Sequence, residues 1–245
     1  MADVTRGRWK HAQEYERNYW RGRAREIEDG GSQLDWYGWR ADQLSLLLGG
    51  LDASAVVSGD SRVLEIGSGP VGVSSFLSAG TRVAIDPLAA FYSADSALID
   101  QRSDSTVYVA GMGEDLPFAT GTFDLLIMEN CIDHVRDVDS VMTEISRVLR
   151  SGGLLYFTVN VRTTVGRLVH RTLSRARIDG GHPHSFNVAG ARSLLAPSVF
   201  ELLYSRVGNY REALFEDLAS PEWKTRLKGL IGVSEFLVTL VAARR

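Results

Sequence analysis

Short apolar runs alternate with amphipathic segments through the middle of this chain. The pattern predicts strands at 62–66, 82–85, 107–109, 123–128 and 153–159, with helices at 71–79 and 138–149. Two later apolar runs, at 200–207 and 236–242, predict two further strands. Strands that alternate with amphipathic helices are typical of a mostly parallel, doubly wound α/β sheet.

The first fifty residues follow a different pattern, in which charged and aromatic residues are interleaved without strand alternation. Helices are predicted at 9–27 and 39–48, separated by glycine pairs. Four of the five tryptophans fall within the first 39 residues. We therefore expect an N-terminal helical cap that packs on the sheet.

Composition narrows the class of protein without identifying it. The chain has 245 residues, of which 44% are hydrophobic and 23% charged, so a folded domain is expected. Its single cysteine, Cys131, excludes an intramolecular disulfide and fits a reducing cytoplasm. The net charge of -3 argues against nucleic acid as a partner. We see neither a targeting segment nor an apolar run long enough to span a membrane, and predict a cytoplasmic protein.

A glycine-rich turn follows the first predicted strand. In Glu65-Ile-Gly67-Ser-Gly69, the glycines permit a tight turn and a close approach of the backbone to a ligand. Asp86 ends the second predicted strand, where a carboxylate can accept hydrogen bonds from both hydroxyls of a ribose. The combination indicates a cofactor that contains adenosine.

Six segments in order resemble the class I S-adenosylmethionine-dependent methyltransferases of the small-molecule type. The resemblance is strong over about 55–160 and weaker elsewhere. It implies a Rossmann-like, doubly wound seven-stranded sheet with an antiparallel last strand, and S-adenosyl-L-methionine as the cofactor. The segments are Val63-Leu-Glu-Ile-Gly-Ser-Gly69, Val83-Ala-Ile-Asp-Pro87, Gly113-Glu-Asp-Leu-Pro-Phe118, Phe123-Asp-Leu-Leu-Ile-Met-Glu-Asn130, Asp133-His-Val135 and Arg147-Val-Leu-Arg-Ser-Gly-Gly-Leu154.

The resemblance also implies roles for individual residues. The methionine part of the cofactor would be held by Glu65, Gly67, Ser68 and Gly69, the ribose by Asp86, and the adenine by Pro87 with Gly113, Glu114 and Asp115; Glu129 and Asn130 would face the sulfonium and amino groups. Two positions depart from the family. Val71 stands where a third glycine is common, and Met112 where an acid often binds the adenine amino group.

Histidines supply the candidates for proton transfer. His134 follows the fourth strand, and Asp133 could orient it or cap the next helix. His182 and His184, on either side of Pro183, form a second candidate pair. Asn130, Asp133 and the histidines could also bind a metal, but Asn130 contributes a neutral amide instead of a negative ligand, so no metal is predicted.

We expect the chain to divide into four parts: a cap at 1–55, an S-adenosylmethionine-binding core at 56–160, a variable acceptor-side segment at 161–195, and the last two strands at 196–245. The segment at 161–190 is predicted to be irregular and basic. Five arginines lie there without an intervening acid, which suits an anionic or carrier-linked acceptor as well as a solvated helix face. These arginines are Arg162, Arg167, Arg171, Arg175 and Arg177.

The predicted function is biosynthetic O-methylation of a small molecule such as a sugar or secondary metabolite, by a monomer or homodimer. Two alternatives remain. Gly67-x-Gly69-x-x-Gly72 also satisfies the dinucleotide fingerprint of an NAD(P)-dependent oxidoreductase, although no lysine lies four residues after a tyrosine as in short-chain dehydrogenases. A catalytically inactive, cofactor-binding partner subunit is the other alternative, and the intact glycine turn weighs against it.

Overall fold

A seven-stranded sheet forms the centre of the computed structural model, which describes residues 4–31, 33–176, 178 and 180–245. The strand order across the sheet is β3-β2-β1-β4-β5-β7-β6. The strands are β1 (Arg62–Ile66), β2 (Thr81–Asp86), β3 (Thr106–Ala110), β4 (Phe123–Glu129), β5 (Leu149–Val161), β6 (Phe200–Val207) and β7 (Phe236–Arg244).

The first five strands pair in parallel, and β7 is antiparallel to both of its neighbours, β5 and β6. This topology confirms the predicted Rossmann-like sheet with its antiparallel last strand. In the central register, Ile66 of β1 lies beside Ile85 of β2 and Met128 of β4. The carboxyl ends of these three strands therefore meet at one edge, where ligands bind in folds of this class.

Helices cover both faces of the sheet. One apolar layer joins α5 and α7 to alternate strand residues such as Leu64 and Ile66, and the other joins α1 and α2 to Val63 and its neighbours. The helices are α1 (Arg6–Glu28), α2 (Trp36–Gly50), α3 (Ala89–Tyr92), α4 (Ser96–Ile99), α5 (Val138–Val148), α6 (Thr164–Arg175), α7 (Val188–Ser193), α8 (Tyr210–Ala219) and α9 (Trp223–Leu230).

The helix predicted at 71–79 is wrong. The chain forms only a short 3₁₀ turn there, Val73–Phe76, because Gly72 before it has a φ of +83° and Leu77 after it is extended, with a ψ of 145°. The position where the family often carries a glycine is Val71, so the left-handed residue falls one position later, at Gly72.

The segment predicted to be irregular at 161–190 contains a helix. Thr163 caps α6, since its side-chain oxygen accepts a hydrogen bond from the backbone N–H of Gly166 at 3.0 Å. Two more helices, α8 and α9, lie between the last two strands, where the sequence pattern predicted none. Among the described residues, no helix is both long enough and apolar enough to cross a lipid bilayer.

Candidate functional site

A cavity of about 470 Å³ lies at the carboxyl ends of β1, β2 and β4. Helices α1 and α2 contribute the opposite wall, with Trp20, Tyr37 and Arg40 among its lining residues. This volume is within the usual range for small-molecule and cofactor sites. The N-terminal helices and the strand ends therefore enclose a single ligand-sized space.

Most of the sequence-predicted cofactor residues line this cavity. Asp115 is exposed and does not line the cavity. Three of the candidate proton-transfer residues, Asp133, His182 and His184, do not line it either. The predicted residues that do line it are Glu65, Gly67, Ser68, Gly69, Asp86, Pro87, Gly113, Glu114, Glu129, Asn130 and His134.

Asp86 is buried beneath the glycine turn. Its Oδ2 accepts a hydrogen bond from the backbone N–H of Gly69 at 3.0 Å, and its Oδ1 accepts one from Leu88 at 2.7 Å. Burial raises the pKa of Asp86 to about 6, although the two backbone N–H groups oppose that rise. A carboxylate has about four lone-pair sites, so Asp86 keeps acceptor capacity for ligand hydroxyls.

Gly69 lets the N-terminal cap approach the turn closely. Its φ is +61°, and a Cβ added there would lie 2.5 Å from the Tyr37 hydroxyl and 3.3 Å from Trp20. The cap and the glycine turn are thus fitted to one another, with no room for a side chain between them.

The carboxylate of Glu65 holds the 3₁₀ turn after β1. It accepts backbone hydrogen bonds from Val73 at 3.0 Å and Ser74 at 2.8 Å. A Cβ added at Gly72 would lie 2.7 Å from Oε2 of Glu65. Burial raises the pKa of Glu65 to about 7 despite those two hydrogen bonds. Glu65 therefore shapes the loop as well as lining the cavity.

Two further cavity residues end β4. Arg40 of α2 places its Nη1 3.5 Å from Oε2 of Glu129, and burial raises the pKa of the Glu129 carboxyl while Arg40 lowers it. Asn130 has a φ of +50°, and its Oδ1 accepts a hydrogen bond from the Asn160 backbone at 2.8 Å. The Asn130 amide thus ties the end of β4 to β5.

The loop after β3 provides the third part of the wall through Gly111, Met112 and Gly113. Glu114 lines the cavity, and its Oε1 accepts hydrogen bonds from the backbone N–H groups of Arg136 at 2.7 Å and Asp137 at 3.1 Å. This carboxylate orders the turn that precedes α5.

Three of the candidate proton-transfer residues come together. The ring centroids of His134 and His182 are 4.7 Å apart, and Asp133 lies between their nitrogens at 3.8 Å and 4.0 Å. His184 does not join them, because its Nε2 lies 3.0 Å from the carbonyl oxygen of Val135. Burial lowers the pKa of His184, which favours a neutral ring at that position.

Asp133 does not cap the helix that follows. Helix α5 begins at Val138, and Asp137 is its N-cap, accepting hydrogen bonds from the backbone of Asp139 and Ser140. Asp133 and His134 instead lie in the turn between β4 and α5, where the His134 backbone N–H donates to Cys131 at 3.0 Å.

The basic segment contributes no arginine to the cavity wall among its described residues. Arg162 is buried and paired with Glu235. Arg167, Arg171 and Arg175 lie on α6, outside the lining, and Arg177 lies outside the described residues.

Sequence reasoning missed the lining residues of the cap. They include Gln13, Glu16, Arg23 and Arg40. Their helices were predicted, but the face that each helix turns toward the strand ends depends on tertiary packing.

Comparison with known proteins agrees with this geometry. Residues 64–157 match the family model described as "Methyltransferase domain". An uncharacterized methyltransferase of Mycolicibacterium vanbaalenii is 31% identical over 132 residues, which cover 51% of this chain and 50% of that protein. Another, from Mycolicibacterium gilvum, is 29% identical over 190 residues, covering 72% of each chain. The chain spans about half the length of several of the curated relatives it matches.

A solved structure shares the fold at low sequence identity. Geranyl diphosphate methyltransferase, solved in complex with S-adenosylmethionine, matches with a TM-score of 0.61 and 17% identity, over 85% of each chain. The sheet order and the glycine turn define a Rossmann-like cofactor-binding fold. Together with the domain match, they show that residues 64–157 form a methyltransferase domain, on a fold shared with an S-adenosylmethionine-dependent methyltransferase.

Proposed function

We propose that this protein transfers the methyl group of S-adenosylmethionine to an oxygen atom of a small molecule. The observation that carries the proposal is the position of Asp86. This buried carboxylate is bonded to the glycine turn, in the same cavity that His134 lines. The cavity therefore combines a ribose acceptor with a group that can take a proton.

The residues present fit this cofactor. Asp86 keeps lone pairs for two ribose hydroxyls, the Glu65 and Glu129 carboxyls offer oxygen acceptors to the ammonium group, and the Gly67–Gly69 backbone admits close approach. When bound, S-adenosylmethionine supplies a methyl group that bonds to the acceptor oxygen, while the carbon–sulfur electron pair stays on sulfur as S-adenosylhomocysteine leaves.

The chain's own contribution to the reaction is alignment and proton removal. A neutral hydroxyl is a weak nucleophile, so a base that takes its proton assists the transfer. His134 is the histidine that lines the cavity, and the buried Asp133 lies 3.8 Å from its Nε2. Asp133 is thus in position to orient the His134 ring.

Calorimetry tests the cofactor assignment. The protein should bind S-adenosylmethionine and S-adenosylhomocysteine, and should not bind NAD. Tight NAD binding without S-adenosylhomocysteine binding would overturn the proposal in favour of an oxidoreductase. Binding of S-adenosylhomocysteine without methyl transfer to any hydroxylated acceptor would favour the inactive partner subunit.

The base is tested with labelled S-adenosylmethionine and a panel of hydroxylated small molecules. His134→Ala should lower kcat by about 100-fold or more, the range of general base catalysis, and keep its affinity for S-adenosylhomocysteine. His11→Ala, which removes an exposed histidine of α1, serves as the control and should retain turnover. Unchanged turnover of His134→Ala would reject the base assignment.

A further inference from the structure

We propose that Asp133, His134 and His182 bind one divalent transition-metal ion beside the cavity. One ligand atom from each of the three residues lies within 4.8 Å of the other two. Asp133 and His134 belong to the turn after β4, and His182 belongs to the loop after α6. Two imidazoles with one carboxylate form a donor set that suits Zn²⁺ and related ions.

The Asp133 carboxylate is the first reason for this assignment. Its side chain is 1% exposed, and among the described residues neither of its oxygens has a hydrogen-bond partner. A buried carboxylate without hydrogen bonds is costly unless a positive charge compensates it. The neighbouring imidazole nitrogens, at 3.8 Å and 4.0 Å, are too distant for direct hydrogen bonds.

The spacing of the donor atoms is the second reason. Ligand atoms that each lie about 2.1 Å from one ion are separated from each other by roughly 3 to 4 Å. Nε2 of His134 lies 3.8 Å from Oδ1 of Asp133, and Nε2 of His182 lies 4.0 Å from Oδ2. One ligand atom of each residue lies within 4.8 Å of the others, so the side chains must draw together slightly to share one ion.

The surroundings of His134 are the third reason. With its Nε2 toward Asp133, the opposite nitrogen, Nδ1, lies 3.5 Å from Oε1 of Glu16. Histidines that bind metals commonly direct their second ring N–H to a carboxylate, which fixes the tautomer. Glu16 of α1 is in position for this role.

The loop that carries His182 is anchored to α1 and α6. The hydroxyl of Ser174 donates to the carbonyl oxygen of His182 at 2.9 Å. Arg8 donates to the Ser174 hydroxyl at 3.1 Å and to the Gly180 carbonyl oxygen at 2.7 Å. These contacts hold His182 beside the turn after β4 and reduce the reorganisation that metal binding needs.

This ligand set is narrower than the one that the sequence offered, which also contained Asn130 and His184. The structure directs Oδ1 of Asn130 to the backbone of Asn160, and Nε2 of His184 to the carbonyl oxygen of Val135. Asp133, His134 and His182 are the members that lie together.

An ion bound here would lie next to His134 in the cavity wall and could bind an acceptor oxygen, lowering the pKa of its hydroxyl. It would then replace the free imidazole as the group that promotes loss of the hydroxyl proton, which would pass to solvent water. This role rests on the proposed function, whereas binding of the ion does not.

Zinc titration of the full chain, first freed of metal with a chelator, tests the site. Calorimetry should show one Zn²⁺ per chain, and Co²⁺ should give a visible absorption band. Asp133→Asn and His182→Gln should each weaken Zn²⁺ binding by more than about 100-fold, beyond the usual effect of an outer-shell residue. Glu16→Gln should weaken it by about tenfold.

The control is His11→Gln, which removes an exposed histidine of α1 and should leave Zn²⁺ affinity unchanged. His182 lies on a loop, so His182→Gln keeps the test decisive if Asp133→Asn does not fold. Wild-type affinity in both ligand variants, an equal loss in His11→Gln, or no binding by the wild type would each overturn the site. If the protein binds S-adenosylhomocysteine but does not bind Zn²⁺, only the metal site is rejected. If it binds Zn²⁺ but does not bind S-adenosylhomocysteine, only the proposed cofactor is rejected.

Discussion

The hydrogen bond between Gly69 and Asp86 joins two residues whose roles the sequence motif implied. Parallel pairing of β1 with β2 explains why they meet, since the ends of adjacent parallel strands lie side by side. The third residue at this point, Tyr37, could not be found in the same way. Its hydroxyl faces Gly69 because α2 packs across the strand ends, a contact that local pattern does not encode.

Gly69→Ala tests how tightly the cap fits the turn. A φ of +61° strains the backbone of any residue that carries a Cβ, and the added Cβ would lie 2.5 Å from the Tyr37 hydroxyl. We expect a loss of about 1–3 kcal/mol of stability and at least tenfold weaker binding of S-adenosylhomocysteine, because the turn must move. Urea denaturation and calorimetry measure the two effects.

Gly232→Ala is the matched control. Gly232 has a φ of +72°, but a Cβ there meets nothing within 4 Å. Gly232→Ala therefore has the same kind of backbone strain as Gly69→Ala but no steric clash. Gly232→Ala should retain cofactor affinity. Equal affinity in both variants would show that Tyr37 and Gly69 are not in close contact in solution.

Strands were the best predicted elements. The runs at 62–66 and 200–207 match β1 and β6. Strand β1 is buried from Val63 to Ile66, so its short apolar run is the signature of a buried strand, whereas β6 is an edge strand with mostly exposed residues. The helix after β1 was wrong because the backbone leaves the helical region on both sides of Val73–Phe76, at Gly72 and at Leu77. Glu65 accepts hydrogen bonds from the first two N–H groups of this turn, which an α-helix would also leave free, so it holds the turn in place without selecting its type.

Helix α6 was missed although its polar and apolar residues lie on different faces of the helix. It is rich in arginine, and some of its larger apolar residues, such as Val165 and Leu168, are exposed. The signal that could have located it is Thr163, a good N-cap residue directly before the helix.

Trp20 tests the contribution of α1 to the packed structure. Its side chain is buried against the turn and makes an edge-to-face contact with Tyr92, with ring centroids 5.8 Å apart. Trp20→Ala should lower the free energy of unfolding by about 3–5 kcal/mol, the usual cost of removing a large buried aromatic. Urea denaturation followed by circular dichroism measures the change.

Trp39→Ala removes the same kind of side chain from α2, where it is 62% exposed. It should change the free energy of unfolding by no more than about 0.5 kcal/mol. Similar costs for Trp20→Ala and Trp39→Ala would mean that α1 does not pack on the sheet as described.

At the scale of the whole molecule, the sequence predicted the sheet, and most of the residues that it proposed for the cofactor line one cavity, but it did not predict how that cavity is assembled. The cavity combines strand ends with helices from the first fifty residues, and the histidine cluster adds a loop from beyond 175. The order of motifs along the chain predicts which residues lie together within one strand–turn–helix unit. The juxtaposition of His134 with His182 depends on how distant segments fold together, which spacing cannot show.

Burial of Glu65 couples the fold to pH. The carboxyl lies under the helices that cover the β1 face, and this burial raises its pKa to about 7 from 4.5. Between these two values the folded protein binds more protons than the unfolded chain. The contribution of Glu65 to stability therefore falls as the pH rises through this window, and levels off above pH 7.

Glu65→Gln, which resembles the protonated carboxyl at every pH, tests this coupling. Relative to the wild type, the variant should gain stability between pH 5 and pH 8, by on the order of 3 kcal/mol. Urea denaturation at several pH values measures the difference, and Asp42→Asn, at an exposed site on α2, controls for the loss of one carboxyl. If the bonds from Val73 and Ser74 instead kept Glu65 ionised at pH 5, Glu65→Gln would destabilise the protein equally at every pH. The pH dependence thus decides whether burial or hydrogen bonding dominates at this carboxyl.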